Sequence, residues 1–129
     1  MSLLQIHLNK KGCSGRGVRY RILTAAQLEQ NELAAVKTLD EGFTGVEYTL
    51  ETGRLGLLDM VTHVTEAGLK TLDAAKWMPL ANGTLTTQWS TYFNTRDTMI
   101  LKRVFQAEHG VSQAEVDDIL SGKVEVLED

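Results

Sequence analysis

The chain has 129 residues, 43% of them hydrophobic and 23% charged, so we expect a single globular domain over residues 1–129. No apolar run approaches the roughly 20 residues that span a bilayer, and the first basic residues follow the N-terminal apolar stretch instead of preceding it as in a secretory signal. The only cysteine, Cys13, excludes an internal disulfide and fits a reducing compartment, so we expect a cytoplasmic protein with no membrane partner.

The formal net charge of −4 conceals two segments of opposite sign. Residues 1–23 carry five basic side chains and no acidic one, whereas the remaining residues carry eight basic and seventeen acidic side chains. We expect residues 123–129 to form a short acidic tail. Segments of opposite charge can pair within one fold or between neighbouring copies, and two solvated faces of opposite sign are the alternative.

Residues 1–23 predict a β-hairpin. Apolar side chains alternate with polar ones both before and after a glycine-rich stretch, which is typical of two strands with one buried face. The alternating apolar residues are Leu4, Ile6 and Leu8 in the first strand and Val18, Tyr20 and Ile22 in the second. The intervening stretch, GCSGRG, is therefore expected to be the hairpin loop.

This loop does not fit a phosphate-binding loop, because a strand follows the glycines where a helix is needed, and the Gly-Lys-Ser/Thr ending is missing. The end of the predicted hairpin does carry a cluster of basic side chains, which we call the positive tip and which consists of Lys10, Lys11, Arg16 and Arg19. Such a tip fits an acidic partner surface. Nucleic acid is the alternative partner, which the pI near 5.3 and the lack of an aromatic residue for base stacking disfavour.

Residues 24–122 are predicted to form a helical body. Thr24 and Gln27 give its first helix a capping box. Residues 43–50 are ambiguous, because their apolar residues alternate as in a strand. Residues 49–68 have the apolar spacing of a helix, although two glycines weaken its first half.

Further helices are predicted over residues 69–78, over residues 84–110 with a restart at Asn94 or Thr95, and over residues 112–122. The first of these stops at the only proline of the chain. The predicted fold is therefore mainly α within the α+β class, with an N-terminal β-hairpin followed by a bundle of about four to five helices.

The sequence predicts no catalytic centre, no cofactor site and no metal site. His7, His63 and His109 lie in separate predicted elements, and none has metal-ligand spacing with the cysteine. Asp59 and His63 lie one helical turn apart, where we expect an ordinary surface pair because no nucleophile adjoins them. We therefore expect a protein that is not an enzyme.

The richest candidate binding surface is the segment KWMPLANGTLTTQWSTYF. Its aromatic and methionine residues are Trp77, Met78, Trp89, Tyr92 and Phe93. Side chains of this kind dominate the centres of protein interfaces. The alternative is that they belong to the core, because most of them fall at helical spacing.

The ending DILSGKVEVLED contains the adjacent residues Gly122 and Lys123, and Lys123 lies six residues before the last one. In this ending, and in its small size, acidic charge and helical body with tryptophan and tyrosine near the middle, the chain resembles the tail assembly chaperones of long-tailed, lambda-like bacteriophages. In lambda-like phages a slippery Gly-Lys codon pair near the end of this gene allows a ribosomal frameshift, which yields an extended product.

The resemblance implies a chaperone of virion morphogenesis that acts in the host cytoplasm without ATP. Copies of the protein, in a ring-like homo-oligomer, would coat the apolar, helical tape measure protein until tail tube protein subunits polymerise around it. From residue chemistry we assign the tape measure contact to Trp77, Met78, Trp89, Tyr92 and Phe93. We assign the contact with acidic residues of a neighbouring copy to Lys10, Lys11, Arg16 and Arg19.

Two alternatives from other classes stay open. One is a nucleic-acid-binding regulator that uses the basic hairpin, for which binding to DNA or RNA would depend steeply on salt. The other is a different phage structural protein, such as a head–tail connector, which would remain in the mature virion.

Overall fold

Five strands and four helices make up the part of the chain that a computed structural model describes, residues 2–81, 83–109 and 124–127. The predicted α+β class, with N-terminal antiparallel strands followed by helices, is confirmed. In chain order the elements are β1 (Ser2–His7), β2 (Gly17–Tyr20), α1 (Ala25–Thr38), α2 (Gly45–Met60), β3 (Val61–Val64), β4 (Met78–Pro79), α3 (Thr84–Tyr92), α4 (Thr95–Glu108) and β5 (Val124–Leu127).

The strands form one antiparallel sheet in the order β4-β3-β2-β1-β5. The predicted hairpin is confirmed as β1 and β2, with Leu4 opposite Tyr20 and Ile6 opposite Val18. These four apolar side chains are buried on one face of the sheet, as the alternation predicts.

The helix predicted over residues 49–68 is wrong after Met60. The helix α2 ends there, and Val61 begins β3, which pairs with β2. Three of the four residues of β3 are β-branched, and such side chains favour a pleated strand over a helix. The apolar spacing of Leu57, Val61 and Val64 suits a helix, but all three reach the same core from two different elements.

The helix predicted over residues 69–78 is also wrong. This segment contains turns and irregular backbone, with Ala74 at a φ of 60°, and it ends in β4 beside β3. Its start is fixed by backbone bonds to the hairpin loop, because the amides of Gly68 and Leu69 donate to the carbonyls of Ser14 and Gly15. These contacts hold the start of the segment against the hairpin loop, and the left-handed backbone at Ala74 interrupts any continuous α-helix.

Residues 124–127 are not part of an acidic tail but form β5, which pairs with Ser2–Gln5 of β1. In VEVL the charged Glu125 stands between two valines, and β-branched residues favour a strand. The helix predicted over residues 112–122 lies outside the described residues.

Three of the four helices begin with a capping box. The predicted box of Thr24 and Gln27 is confirmed at α1, and the predicted helix restart is confirmed at Asn94, whose side chain accepts from the Asp97 amide. Thr44 and Glu47 form the third box, at α2. The capping box therefore settles the ambiguity at residues 43–50 in favour of a helix from Gly45.

The core lies between one face of the sheet and the helices α2, α3 and α4. Its members are Leu4, Ile6, Leu8, Val18, Tyr20, Leu57, Met60, Val61, Val64, Leu85, Phe93, Leu101 and Val104. The helix α1 contributes none of them and packs on α2 instead. The helices α1 and α2 therefore form a helical hairpin, in which α2 contributes to the core and α1 covers α2 from outside.

The C-terminal end of α4 is hydrogen-bonded to the strand β2 and to Leu23, in the segment that follows β2. The Tyr20 hydroxyl donates to Glu108 at 3.3 Å, and burial raises the pKa of Tyr20, which keeps the hydroxyl protonated. The Leu23 amide donates to Nε2 of His109 at 3.0 Å, so the ring proton lies on Nδ1 and donates to the Phe105 carbonyl at 2.7 Å.

The helices α2 and α4 approach most closely at Gly56. A Cβ atom placed there would lie 2.4 Å from the ring of Phe105, whereas one at Gly53 would meet nothing within 4 Å. The glycine at position 56 is therefore needed for packing, and the glycine at position 53 is not.

Alanine substitutions at these two glycines should have opposite effects. Gly56→Ala forces a methyl group into the Phe105 ring and should lower the free energy of unfolding by about 1–3 kcal/mol, the usual cost of overpacking. Gly53→Ala, the control, should raise it by about 0.5–1 kcal/mol because alanine favours the helix. Urea unfolding measures both, and equal effects would contradict the close approach of α2 and α4.

Candidate binding groove and the basic loop

An open groove of about 610 Å³ lies where α2, α3 and α4 meet. We call it the apolar groove. Its apolar lining consists of Leu39, Leu50, Leu57, Leu58, Leu85 and Trp89, and its polar lining of Glu47, Glu51, Arg54, Thr86, Thr98 and Lys102. A concave site with mainly apolar walls and a few polar groups is the usual form of a binding site.

The wall formed by Trp89 is held in a fixed orientation. Its indole Nε1 donates to the Thr98 hydroxyl at 2.8 Å, and that hydroxyl donates to the Asn94 carbonyl at 2.9 Å. The indole also packs against Phe93 with 4.6 Å between ring centroids. The groove is therefore preformed on this side.

The outer face of α2 continues the groove with exposed apolar side chains. Val46 is 69% exposed and Leu50 is 64% exposed, while Leu57, on the same side of the helix, is 4% exposed. Val46 and Leu50 are four apart and lie above one another on the helix, and Leu57 lies on the same side two turns after Leu50. These three residues form an apolar stripe that Gly53 and Arg54 interrupt for one turn. Exposed apolar side chains beside a groove are typical of a surface that binds another molecule.

One ion pair lies on the rim of the groove. Arg54 donates to Glu51 at 2.6 Å, and this hydrogen bond lowers the pKa of Glu51 and raises the pKa of Arg54. The two residues lie on the same helix, where such a pair stabilises by only about 0.3–0.5 kcal/mol. Its main consequence is that Arg54 is already neutralised.

The structure places the five predicted contact residues in three environments. Trp89 lines the groove, Tyr92 packs against the Phe93 ring, and Phe93 is buried in the core at 3% exposure. Trp77 and Met78 lie at β4, an edge strand of the sheet, where Met78 is 43% exposed. The five residues therefore do not form one surface.

The exposed start of the apolar stripe of α2, at Val46, was not predicted to be helical. The signal was present in the i, i+4 spacing of Val46 and Leu50 after the capping box of Thr44 and Glu47. It was masked because Val46, Tyr48 and Leu50 also alternate as in a strand.

The four predicted basic contact residues separate into two pairs. Lys10 and Lys11 are exposed in the loop. Arg16 and Arg19 are half-buried and packed on aromatic rings, with Arg16 5.5 Å from the centroid of Tyr92 and Arg19 4.2 Å from that of Trp77. The predicted basic set thus contacts the predicted aromatic set inside the same molecule.

The glycine loop, residues 10–17, is clamped between the start of α4 and residues 65–69. The buried carboxylate of Asp97 accepts the Ser14 amide at 3.0 Å and the Asn94 amide at 3.1 Å. The Asn94 side chain donates in turn to the Gly12 carbonyl at 3.1 Å. One capping box therefore holds both the helix end and the loop.

The other side of the glycine loop is held by the sheet. The His7 Nε2 lies 3.0 Å from the Gly15 carbonyl and 2.9 Å from the Leu69 carbonyl, and since both are acceptors this nitrogen carries the proton. Gly15 has a φ of +83°, and a Cβ there would lie 2.8 Å from the Gly68 amide. Only glycine fits both the backbone conformation and the space.

Within the described part of the chain, the reactive side chains outside the groove do not assemble into a site. Burial, and then the nearby Asp97, raise the pKa of the Cys13 thiol, which keeps it protonated. The predicted surface pair of Asp59 and His63 is not formed on one helix, because His63 lies in β3 with Nδ1 2.7 Å from the Thr62 hydroxyl. Among the described residues, no three of the His, Cys, Asp and Glu side chains are grouped so as to hold a metal ion.

No protein-family model matches the chain, and neither the curated proteins nor the solved structures contain a match. Within the described ranges, no helix has the length and apolar character to cross a membrane.

Asp97→Ala should be strongly destabilising, because it leaves the Ser14 and Asn94 amides without their acceptor. Hydrogen bonds to a charged partner contribute about 1.5–3 kcal/mol each, so we expect the loss of two to lower the free energy of unfolding by about 3–6 kcal/mol. Asp73→Ala is the control, since Asp73 is exposed and its loss should change stability by less than about 0.5 kcal/mol. Equal urea midpoints for the two variants would refute the clamp.

The stripe of α2 should divide into structural and surface positions. Leu57→Ala should cost about 2–4 kcal/mol as a buried large-to-small change. The double variant Val46→Gln/Leu50→Gln should change stability by less than about 1 kcal/mol, because both side chains are exposed. Urea unfolding distinguishes them, and a large loss in the double variant would mean that the stripe is part of the core.

Proposed function

We propose that this protein is a phage tail assembly chaperone of the host cytoplasm, which binds an apolar helical segment of the tape measure protein and has no enzymatic activity. The observation that carries the proposal is the apolar groove, together with the exposed Val46 and Leu50 that extend it. A groove of this kind is the standard receptor for one face of an amphipathic helix.

The dimensions of the surface suit a helix. Leu57 follows Val46 by eleven positions, which corresponds to about 16 Å along α2 at 1.5 Å per residue. A partner helix lying alongside would present about three turns, with apolar anchors at i, i+3 or i+4, and i+7. Trp89 supplies a rigid aromatic wall for one such anchor.

Release of the partner requires contacts that are individually modest. One groove of this size offers few anchor positions, so we propose that several copies act together in a ring-like homo-oligomer, whose avidity replaces a single tight site. The exposed Lys10 and Lys11 remain available for acidic residues of a neighbouring copy. Tail tube protein subunits would then displace the chaperone copy by copy.

The glycine loop supports a mechanism without ATP. The loop is followed by the strand β2. The loop amides of Cys13, Ser14 and Gly15 already donate to protein acceptors, which are the Lys10 carbonyl, the Asp97 carboxylate and the Leu8 carbonyl, respectively. A phosphate would need such amides free at the start of a helix.

The proposal is tested by co-expression with the tape measure protein of the same phage. The wild-type chaperone should hold that protein in the soluble fraction and co-purify with it. Val46→Gln/Leu50→Gln should lose at least about half of both signals, because polar side chains replace the exposed anchors. The control is Ile22→Thr, which removes a similarly exposed apolar side chain outside the groove.

A tape measure protein that is equally soluble without the chaperone, or with the double variant, would refute the proposal. In that case the nucleic-acid alternative is tested next, with a DNA and an RNA duplex at low and high salt. Affinity that falls steeply with salt would favour it.

A further inference from the structure

We infer that the helix bound in the apolar groove is cationic along the flanks of its apolar stripe. This inference rests on the proposed function, because it names the chemistry of the partner for the same groove. It is carried by the charge of the helical hairpin that forms one side of the groove.

The helical hairpin α1–α2 is strongly acidic. Residues 24–60 contain seven acidic and two basic residues. Six of the acidic side chains are exposed, and they are Glu29, Glu32, Asp40, Glu41, Glu47 and Asp59. Glu47 lines the groove itself, and Asp40 and Glu41 directly follow the lining residue Leu39 in the chain.

The cations at the groove offset part of this charge. Arg54 is engaged with Glu51 at 2.6 Å, and Lys102 lines the groove opposite Glu47, so the lining itself is charge-balanced. Next to the lining residue Leu39, one cation, Lys37, stands against the carboxylates of Asp40 and Glu41. The excess negative charge therefore lies on the helical hairpin that borders the groove.

A cationic amphipathic helix fits both features of this surface. Its leucine-like anchors would occupy the groove, while lysine side chains would lay their apolar stems over Val46 and Leu50 and extend their ammonium groups to the carboxylates. An acidic helix would bring like charges within a Debye length, about 10 Å at 0.1 M salt. Charge therefore selects among helices that have the same apolar stripe.

Three synthetic peptides of about 18 residues test the inference against the full chain. They share one stripe of leucines at helical spacing and carry lysine, glutamine or glutamate on the flanks. By titration calorimetry at about 50 mM NaCl, we expect the lysine peptide to bind about tenfold more tightly than the glutamine peptide, and the glutamate peptide to bind most weakly. At about 500 mM NaCl the differences should shrink to within about threefold, because salt screens exposed charges.

Variants of the chaperone assign the preference to the groove. Asp40→Asn/Glu41→Gln should reduce the advantage of the lysine peptide by about threefold, whereas the control Glu66→Gln, an exposed carboxylate on the segment after β3, should leave it unchanged. Val46→Gln/Leu50→Gln should weaken the lysine peptide by about tenfold or more.

The outcomes separate the two proposals. Equal affinity for all three peptides, or preference for the glutamate peptide, overturns the inference and leaves the proposed function in place. Undiminished lysine-peptide binding to Val46→Gln/Leu50→Gln also overturns the inference, because binding then lies elsewhere. Failure of every peptide to bind overturns the inference and the proposed helix-binding function together.

Discussion

The buried carboxylate of Asp97 joins the start of α4 to the glycine loop between β1 and β2. It caps α4 by accepting the Asn94 amide, and it holds the glycine loop by accepting the Ser14 amide. A buried charge is tolerated only where hydrogen bonds replace its water, and both backbone amides serve that purpose here. The start of α4 is thereby fixed to the sheet through the loop, and Tyr20 and Leu23 fix its other end.

With α4 held at both ends, the positions of α2 and α3 follow. Gly56 allows α2 to approach Phe105 of α4, and the Trp89 indole of α3 is bonded to Thr98 of α4. The three helices converge in this way at the apolar groove. The clamped glycine loop carries Arg16, which packs on Tyr92, while its lysines stay at the surface.

Local signals predicted the hairpin and the starts of α1 and α4, because strand alternation and capping boxes depend on neighbours in the chain. The strand β3 was missed since Leu57, Val61 and Val64 have helical spacing although they belong to two elements. The segment 69–78 has helix-forming residues, yet it contains turns, with Ala74 in the left-handed region. The groove itself could not be predicted, because only tertiary packing brings Leu50, Leu85 and Trp89 together.

The short strand β4 has a consequence for behaviour at high concentration. It occupies one edge of the sheet with two residues, and the second of them, Pro79, has no N–H to donate. A strand from another molecule would find little backbone to pair with there, so this edge resists sheet-to-sheet aggregation. Association through the β4 edge is thus disfavoured, whereas the exposed apolar side chains on the helices remain accessible.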